Sequence, residues 1–204
     1  MDSEYLVSFE IAGPAAMFTR PDTGAAQVSY PAPTFSACKG MFEAVARLKY
    51  AWIRPTRVEI CQPIRYSKYL TNYGGPLRKN VQKAKGSPYQ LSAMILVDVC
   101  YRIYGQAEFS PNASSGRNHR HALQEIFNRR LARGQFFYAP CLGWKEFVPT
   151  YVGRFRKETM KDSTINLRIP SMLHMVFDGP VSGKWQPLFR QNRRIKEGEL
   201  CYAE

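Results

Sequence analysis

The chain has little of what builds metal centres, disulfide frameworks or membrane spans. Its 204 residues include five cysteines, Cys38, Cys61, Cys100, Cys141 and Cys201. They are odd in number, far apart and form no CxxC, which argues against a zinc ribbon. The pattern predicts reduced, mostly buried thiols of a cytoplasmic protein. No apolar run approaches the roughly 18 residues of a membrane-spanning helix. The opening MDSEYLVSFE carries acids and no positive n-region, unlike a signal peptide. There are three histidines, and no carboxylate or thiol is spaced to complete a metal site with His119 and His121. No metal and no cofactor is expected. Acids are scarce as well. Against 29 Lys+Arg stand 16 Asp+Glu, a formal net charge of +13.

What is present fits a protein that meets a polyanion. A hydrophobic content of 45% supports a real core, and 13% aromatic residues is high. Excess positive charge with many aromatics is the footprint of a nucleic-acid binder. An anionic membrane surface is the competing partner, but no basic amphipathic helix with a broad apolar face supports it. The length suits one large domain or a domain with an appendage.

Along the chain, Tyr5 to Ile11 alternates as a first strand, ended by Gly13-Pro14. Thr34 is a fair N-cap, and the apolar spacing predicts a helix from about Phe35 to Tyr50. On it, Lys39, Glu43, Ala46 and Tyr50 share a stripe. Arg57 to Cys61 alternates as a second strand. Ile64 to Ser92 has no periodicity; it carries Arg65, Lys68, Arg78, Lys79, Lys83 and Lys85, with Tyr66, Tyr69, Tyr73 and Tyr89, and no acid. Two readings stay open for it, a solvated flexible loop or a nucleic-acid-binding hairpin. Ala93 to Phe109 is the clearest long strand. A basic helix of about 118–133 follows, stopped by Gly134, then a strand through Phe136, Phe137 and Tyr138. This order, strand-helix-strand-strand-helix-strand, is α+β and ferredoxin-like, of the RRM type. Residues 1–149 would form that domain, with the basic insertion at about 63–92. Residues 150–204 would form a small C-terminal antiparallel β-sheet from strands near 151–155, 165–169, 172–177 and 185–189, carrying a second basic cluster of Arg190, Arg193, Arg194 and Lys196.

Two blocks of residues suggest a family. The first holds Phe9-Glu10, Gly13, Phe18-Thr19-Arg20-Pro21, Ser29-Tyr30, Pro33-Thr34, Lys39-Gly40, Glu43 and Pro63-Ile64. The second holds Phe127-Asn128-Arg129-Arg130, Gly134-Gln135, Pro140, Leu142-Gly143 and Glu146-Phe147. In order and spacing the chain resembles the fifth CRISPR-associated (Cas) protein family, of the RAMP superfamily, in its type I-C branch. The resemblance covers about 1–64 and 118–147. It implies an RRM-like domain whose basic insertion is a thumb. It implies a subunit of the Cascade surveillance complex that grips the 5′ handle of CRISPR RNA beside the backbone subunit (the seventh family) and the large subunit (the eighth). Target DNA would be met indirectly.

In the type I-C branch, the resemblance implies, the same protein cuts the precursor RNA without metal. A ribose 2′-OH attacks the adjacent phosphate, which calls for a base, a cation and a proton donor. Here the family's tyrosine position is Ala46, with Tyr50 one turn on. The family's basic-His pair falls two residues out of register, the nearest being Arg120-His121. Candidate catalytic residues are therefore Tyr50, Arg120 and His121. Candidate RNA contacts are Arg20, Lys39 and Arg47 near the first helix, Lys79, Lys83 and Lys85 in the thumb, and Arg129, Arg130 and Arg133 on the second helix. The leading expectation is a subunit that caps the 5′ handle; the alternative is the endoribonuclease. A generic single-strand RNA-binding RRM outside CRISPR would show an aromatic RNP motif, which is absent here.

Overall fold

A computed structural model describes residues 4–24, 26–73, 89–110, 118–176 and 186–202. The order is β1 (Leu6–Ala16), β2 (Gln27–Val28), α1 (Phe35–Val45), β3 (Ala51–Ile60), β4 (Tyr66–Tyr73), β5 (Tyr89–Phe109), α2 (His119–Arg133), β6 (Tyr151–Gly153), β7 (Leu167–Met175), β8 (Leu188–Lys196) and β9 (Glu199–Cys201). β5 is the trunk. Its C-terminal half pairs antiparallel with β1 on one side and β3 on the other, and its N-terminal half pairs with β4. The tyrosine-rich excursion therefore begins and ends as a long hairpin growing out of the sheet. Lys79, Lys83 and Lys85 lie outside the described residues.

β6 pairs antiparallel with the far edge of β1. The strand order β6-β1-β5-β3 is that of a ferredoxin-like sheet. Its fourth strand is Tyr151–Gly153, not the aromatic run at 136–138. The sheet then continues through β9, β8 and β7, because β9 pairs with β3. The stretches expected as two strands, 165–169 and 172–177, form the single strand β7. The first strand runs on past Gly13-Pro14 to Ala16, and β3 starts at Ala51 instead of Arg57. Pro55 sits in β3 at a register shift before Arg57, where the missing N–H costs the ladder nothing.

Both helices pack on one face of the sheet. Phe9 of β1, Phe42 of α1 and Phe127 of α2 are fully buried and meet ring to ring, with centroids 5.1, 5.7 and 5.9 Å apart. Gly105 of β5 makes room beneath them: a Cβ there would lie 2.8 Å from the Phe42 ring. α1 is capped by Thr34, whose hydroxyl accepts from the Ala37 N–H.

The pleat sends Glu10, Arg102, Tyr104 and Glu59 to the opposite face, where an RRM sheet would meet bases. Here that face is crossed by residues 154–160. Glu10 is fully buried and accepts from the Arg156 Nε (2.6 Å), the Arg156 backbone N–H and the Thr159 hydroxyl. Arg102 lies 3.6 Å from the same carboxylate and donates to the carbonyls of Arg156 and Thr159. Phe155 lies edge-on to Tyr104. This strap occupies the base-stacking surface, which accounts physically for the missing RNP motif.

Burial works to raise the Glu10 pKa, but the hydrogen bonds from Arg156 and Thr159 outweigh it and hold the carboxyl below its ordinary range. A lowered folded-state pKa contributes stability above the ordinary carboxylate value, and that stability is lost as pH falls through the lower value. Glu10→Gln should cost about 3 kcal/mol, the low end for breaking a buried pair, because the Arg156 side chain is 35% exposed and can be resolvated. Urea melts of wild type should weaken on the acid side, and those of Glu10→Gln should show a flatter acid limb. An equally steep limb in the variant would remove Glu10 as its source.

Candidate nucleic-acid interface

One end of the sheet gathers the chemistry-bearing residues. The start of β1, the start of β3 and the end of β5 meet there through Ala51↔Phe109 and Leu6↔Gln106. The C-terminus of α1 and the N-terminus of α2 lie over the same end.

α1 stops at Val45, five residues short of the expected end. Ala46 turns extended (φ −147°, ψ 132°). Residues 46–50 are all capable helix formers, so the stop is imposed from outside. The Phe137 and Tyr138 N–H groups donate to the Ala44 carbonyl (2.7 and 3.2 Å), and Arg130 donates to the Val45 carbonyl (3.2 Å). These are carbonyls a helix end leaves without partners. The same bonds explain why 136–138 is no strand: its donors are spent on α1. The Tyr138 hydroxyl adds a bond to the Gly40 carbonyl (3.0 Å).

The turn out of α1 leaves a cleft of about 550 Å³, lined by Lys39, Arg47 and Lys49 with Ala46, Trp52 and Phe137. Glu43 is the acid among its lining residues. Lys39 stands 4.7 Å over the Trp52 ring. Phe137 is 51% exposed, and the Arg130 guanidinium lies 5.8 Å from its ring. Three cations with two aromatic faces can hold phosphates and stack unpaired bases.

Tyr50 is not on α1, so it does not replace the side chain at Ala46 by helical register; it sits just ahead of β3. Its ring lies 5.3 Å from His119, and the Lys49 ammonium is 5.2 Å from it. The expected partners point elsewhere. Arg120 is held between Tyr5 (4.7 Å) and Phe109 (4.8 Å), with a buried Nε that has no hydrogen-bond partner among the described residues. His121 is exposed and edge-on to Tyr5. So the expected trio shares one end of the sheet, but the direct contact is Tyr50 with His119.

Of the other expected contacts, Lys39 and Arg47 line the cleft. Arg20 is away from it, paired with Asp22 at 2.7 Å. Arg130 clasps α1, and Arg129 and Arg133 are exposed on α2. Lys49, Trp52, Phe137 and His119 were missed. For Lys49 and Trp52 the signal was the basic-aromatic string Arg47 to Trp52, obscured by the expected longer helix; Phe137 and His119 reach the site only through tertiary contacts. The Leu142–Phe147 block is architectural. The Met17 N–H donates to the Leu142 carbonyl, and Gly143 (φ +91°) lies against Met17 so closely that a Cβ would fall 1.8 Å from its oxygen. Trp144 stacks on Phe147 and donates to Thr19. His174 stacks on Phe35. Among the described residues no group of three or more His, Cys, Asp or Glu is placed to hold a metal ion, and no helix is long and apolar enough to cross a membrane.

The family model described as CRISPR-associated protein (Cas_Cas5) matches residues 6–195. The chain belongs to the Cas5 family of CRISPR-associated proteins. This Cas5 chain is 28% identical over 207 residues to the CRISPR pre-crRNA endoribonuclease Cas5d of Thermus thermophilus, covering 92% of this chain and 87% of that protein. It is 29% identical over 157 residues to the protein of the same name from Mannheimia succiniciproducens, covering 69% of each. Its fold is shared with a crystal structure of a CRISPR-associated protein (TM-score 0.71, 17% identity, 98% of this chain and 92% of the other). It is also shared with a chain of a CRISPR RNA-guided surveillance complex (TM-score 0.51, 16% identity, 97% and 91%).

In this Cas5 chain the start of α2 places His119 beside Tyr50. Asn118 caps the helix, accepting from the His121 N–H (3.2 Å) and donating to the Tyr5 hydroxyl (2.6 Å). Asn118→Ala should lower stability by about 1 kcal/mol, with an unchanged urea m-value. It should also sharpen the His119 and His121 ring signals in NMR spectra as the helix start frays. Unaltered ring signals would mean that the cap does not fix the histidines.

Proposed function

We propose that this chain binds CRISPR RNA across the α1–α2 end of the sheet and caps the 5′ handle of the guide in a type I Cascade complex. The observation that carries this reading is the cleft of Lys39, Arg47 and Lys49 beside Trp52 and Phe137. It joins phosphate-binding cations to stacking surfaces at one opening, as single-stranded RNA recognition needs. Arg129 and Arg133 extend the positive surface along α2, and Lys79, Lys83 and Lys85 of the basic excursion, outside the described residues, would add phosphate contacts of their own. In the complex the neighbours are the backbone subunit of the seventh family and the large subunit of the eighth; target DNA is met through the guide.

A second reading has its own support. The two curated relatives are pre-crRNA endoribonucleases by name, and Tyr50 touches His119 beside Lys49. In this reading the His119 imidazole takes the proton of a ribose 2′-OH. The 2′-oxygen attacks the adjacent phosphorus and the bond to the 5′-oxygen breaks, leaving a 2′,3′-cyclic phosphate. Lys49 offsets the charge of the phosphorane, and the Tyr50 hydroxyl orients the group or protonates the leaving oxygen.

Purified protein incubated with repeat RNA in EDTA distinguishes the two. Binding without cleavage leaves the cap alone. Cleavage that is lost in His119→Ala and kept in His121→Ala establishes the enzyme and its histidine. For binding, Lys39→Ala/Arg47→Ala should weaken affinity for the repeat about tenfold or more and lower the salt slope by about two. An unchanged slope would take the cleft out of the RNA footprint.

A further inference from the structure

The C-terminal sheet holds a second basic cleft that shares no lining residue with the first. It has a volume of about 470 Å³, and Lys161, Arg193, Arg194 and Lys196 line it with Glu197 and Glu199. Its four cations outnumber its two acids. Glu199 is already engaged by Arg57 at 2.7 Å and by Lys161 at 3.9 Å. Arg194 and Lys196 are exposed, and among the described residues neither side chain has a partner. Arg194 also stands directly opposite Arg168 on β7. Like charges facing across an antiparallel pair are destabilising, and an anion between them would reverse that. Arg168 is steadied by Asn192, a residue held at φ +55°.

The cleft is built on a rigid frame. β8 turns into β9 through Glu197 (φ +47°) and Gly198 (φ +75°), the two left-handed positions of a type I′ hairpin. The Gly198 N–H donates to the Ile165 carbonyl, and its own carbonyl accepts from the Ile60 N–H, both at 2.8 Å. A Cβ on Gly198 would lie 2.3 Å from the Asp162 oxygen. Lys196 and Arg194 therefore project from a hairpin clamped on both sides, with less ordering to lose on binding than cations on a loose tail.

We propose that this cleft is a second phosphodiester site, which takes the backbone of a nucleic-acid strand independently of the α1–α2 cleft. The inference does not rest on the assignment of that first cleft. RNA and DNA share the chemistry, so the test uses both. Fluorescence anisotropy of the full chain would be followed against salt with two probes of mixed sequence, a single-stranded RNA and a duplex DNA. Arg194→Ala/Lys196→Ala should lower affinity about tenfold and the salt slope by about two for at least one probe, with a melting temperature no lower than that of the wild type, since the Arg168–Arg194 repulsion is relieved. Arg194→Lys/Lys196→Arg should keep both. Loss on one probe alone identifies the strand; loss on both means the cleft serves either. The control, Arg154→Ala/Lys157→Ala, removes the same charge from exposed positions next to β6, at the other edge of the sheet. An affinity and slope unchanged on both probes, or a fall that the control reproduces in full, overturns the proposal and leaves a solvated face or one for an acidic protein.

Discussion

The contact of Phe9, Phe42 and Phe127 is the constraint on which the rest depends. It brings one ring each from the sheet, α1 and α2 into a fully buried cluster. Each such aromatic pair is worth roughly 0.5–1.5 kcal/mol beyond its area, but its larger effect is geometric. With both helices seated at that point, the end of α1 lies against the segment that leaves α2. The Phe137 and Tyr138 N–H groups then reach the Ala44 carbonyl. The cleft follows from that closure, because ending α1 at Val45 turns Arg47 and Lys49 toward the opening beside Trp52 and Phe137.

The two faces of the sheet have different duties. One carries the helices and the core. The other would be a base-stacking platform in an RRM, and here it is sealed by the 154–160 strap, held to the buried Glu10 by Arg156 and Thr159. The clustered cations and exposed aromatics therefore lie at the periphery of the sheet. They gather at one end, around the turn out of α1, and along the β8–β9 hairpin. A protein with the RRM strand order and no RNP motif is consistent rather than contradictory: the sheet is scaffold, and its edges and ends are surface.

Much of this was legible along the chain because it rests on local signals. Thr34 before Phe35, Gly134 after α2, and the long run into Phe109 mark their elements by capping and alternation. The blocks around Lys39-Gly40 and Phe127–Phe147 carried the family. The failures share one cause. Residues 46–50 have helical propensity and 136–138 have strand propensity, yet each state was set by hydrogen bonds to the other segment some ninety residues away. The strand Tyr151–Gly153 was legible, but not that it was the fourth strand of the RRM-type sheet, because pairing partners are not encoded locally.

By itself the sequence determined the α+β character, the positive charge, the ends of α2 and the family. The first three depend on composition, periodicity and caps, which are properties of neighbours in the chain; the family was carried by the order and spacing of its motif blocks. Only the tertiary structure decided that α1 ends at Val45, that Tyr50 meets His119 instead of His121, that Glu10 closes one face, and that Arg168 faces Arg194. Each of those is a contact between distant segments, and its energy exists only once the sheet and the Phe9–Phe42–Phe127 cluster have brought the segments together.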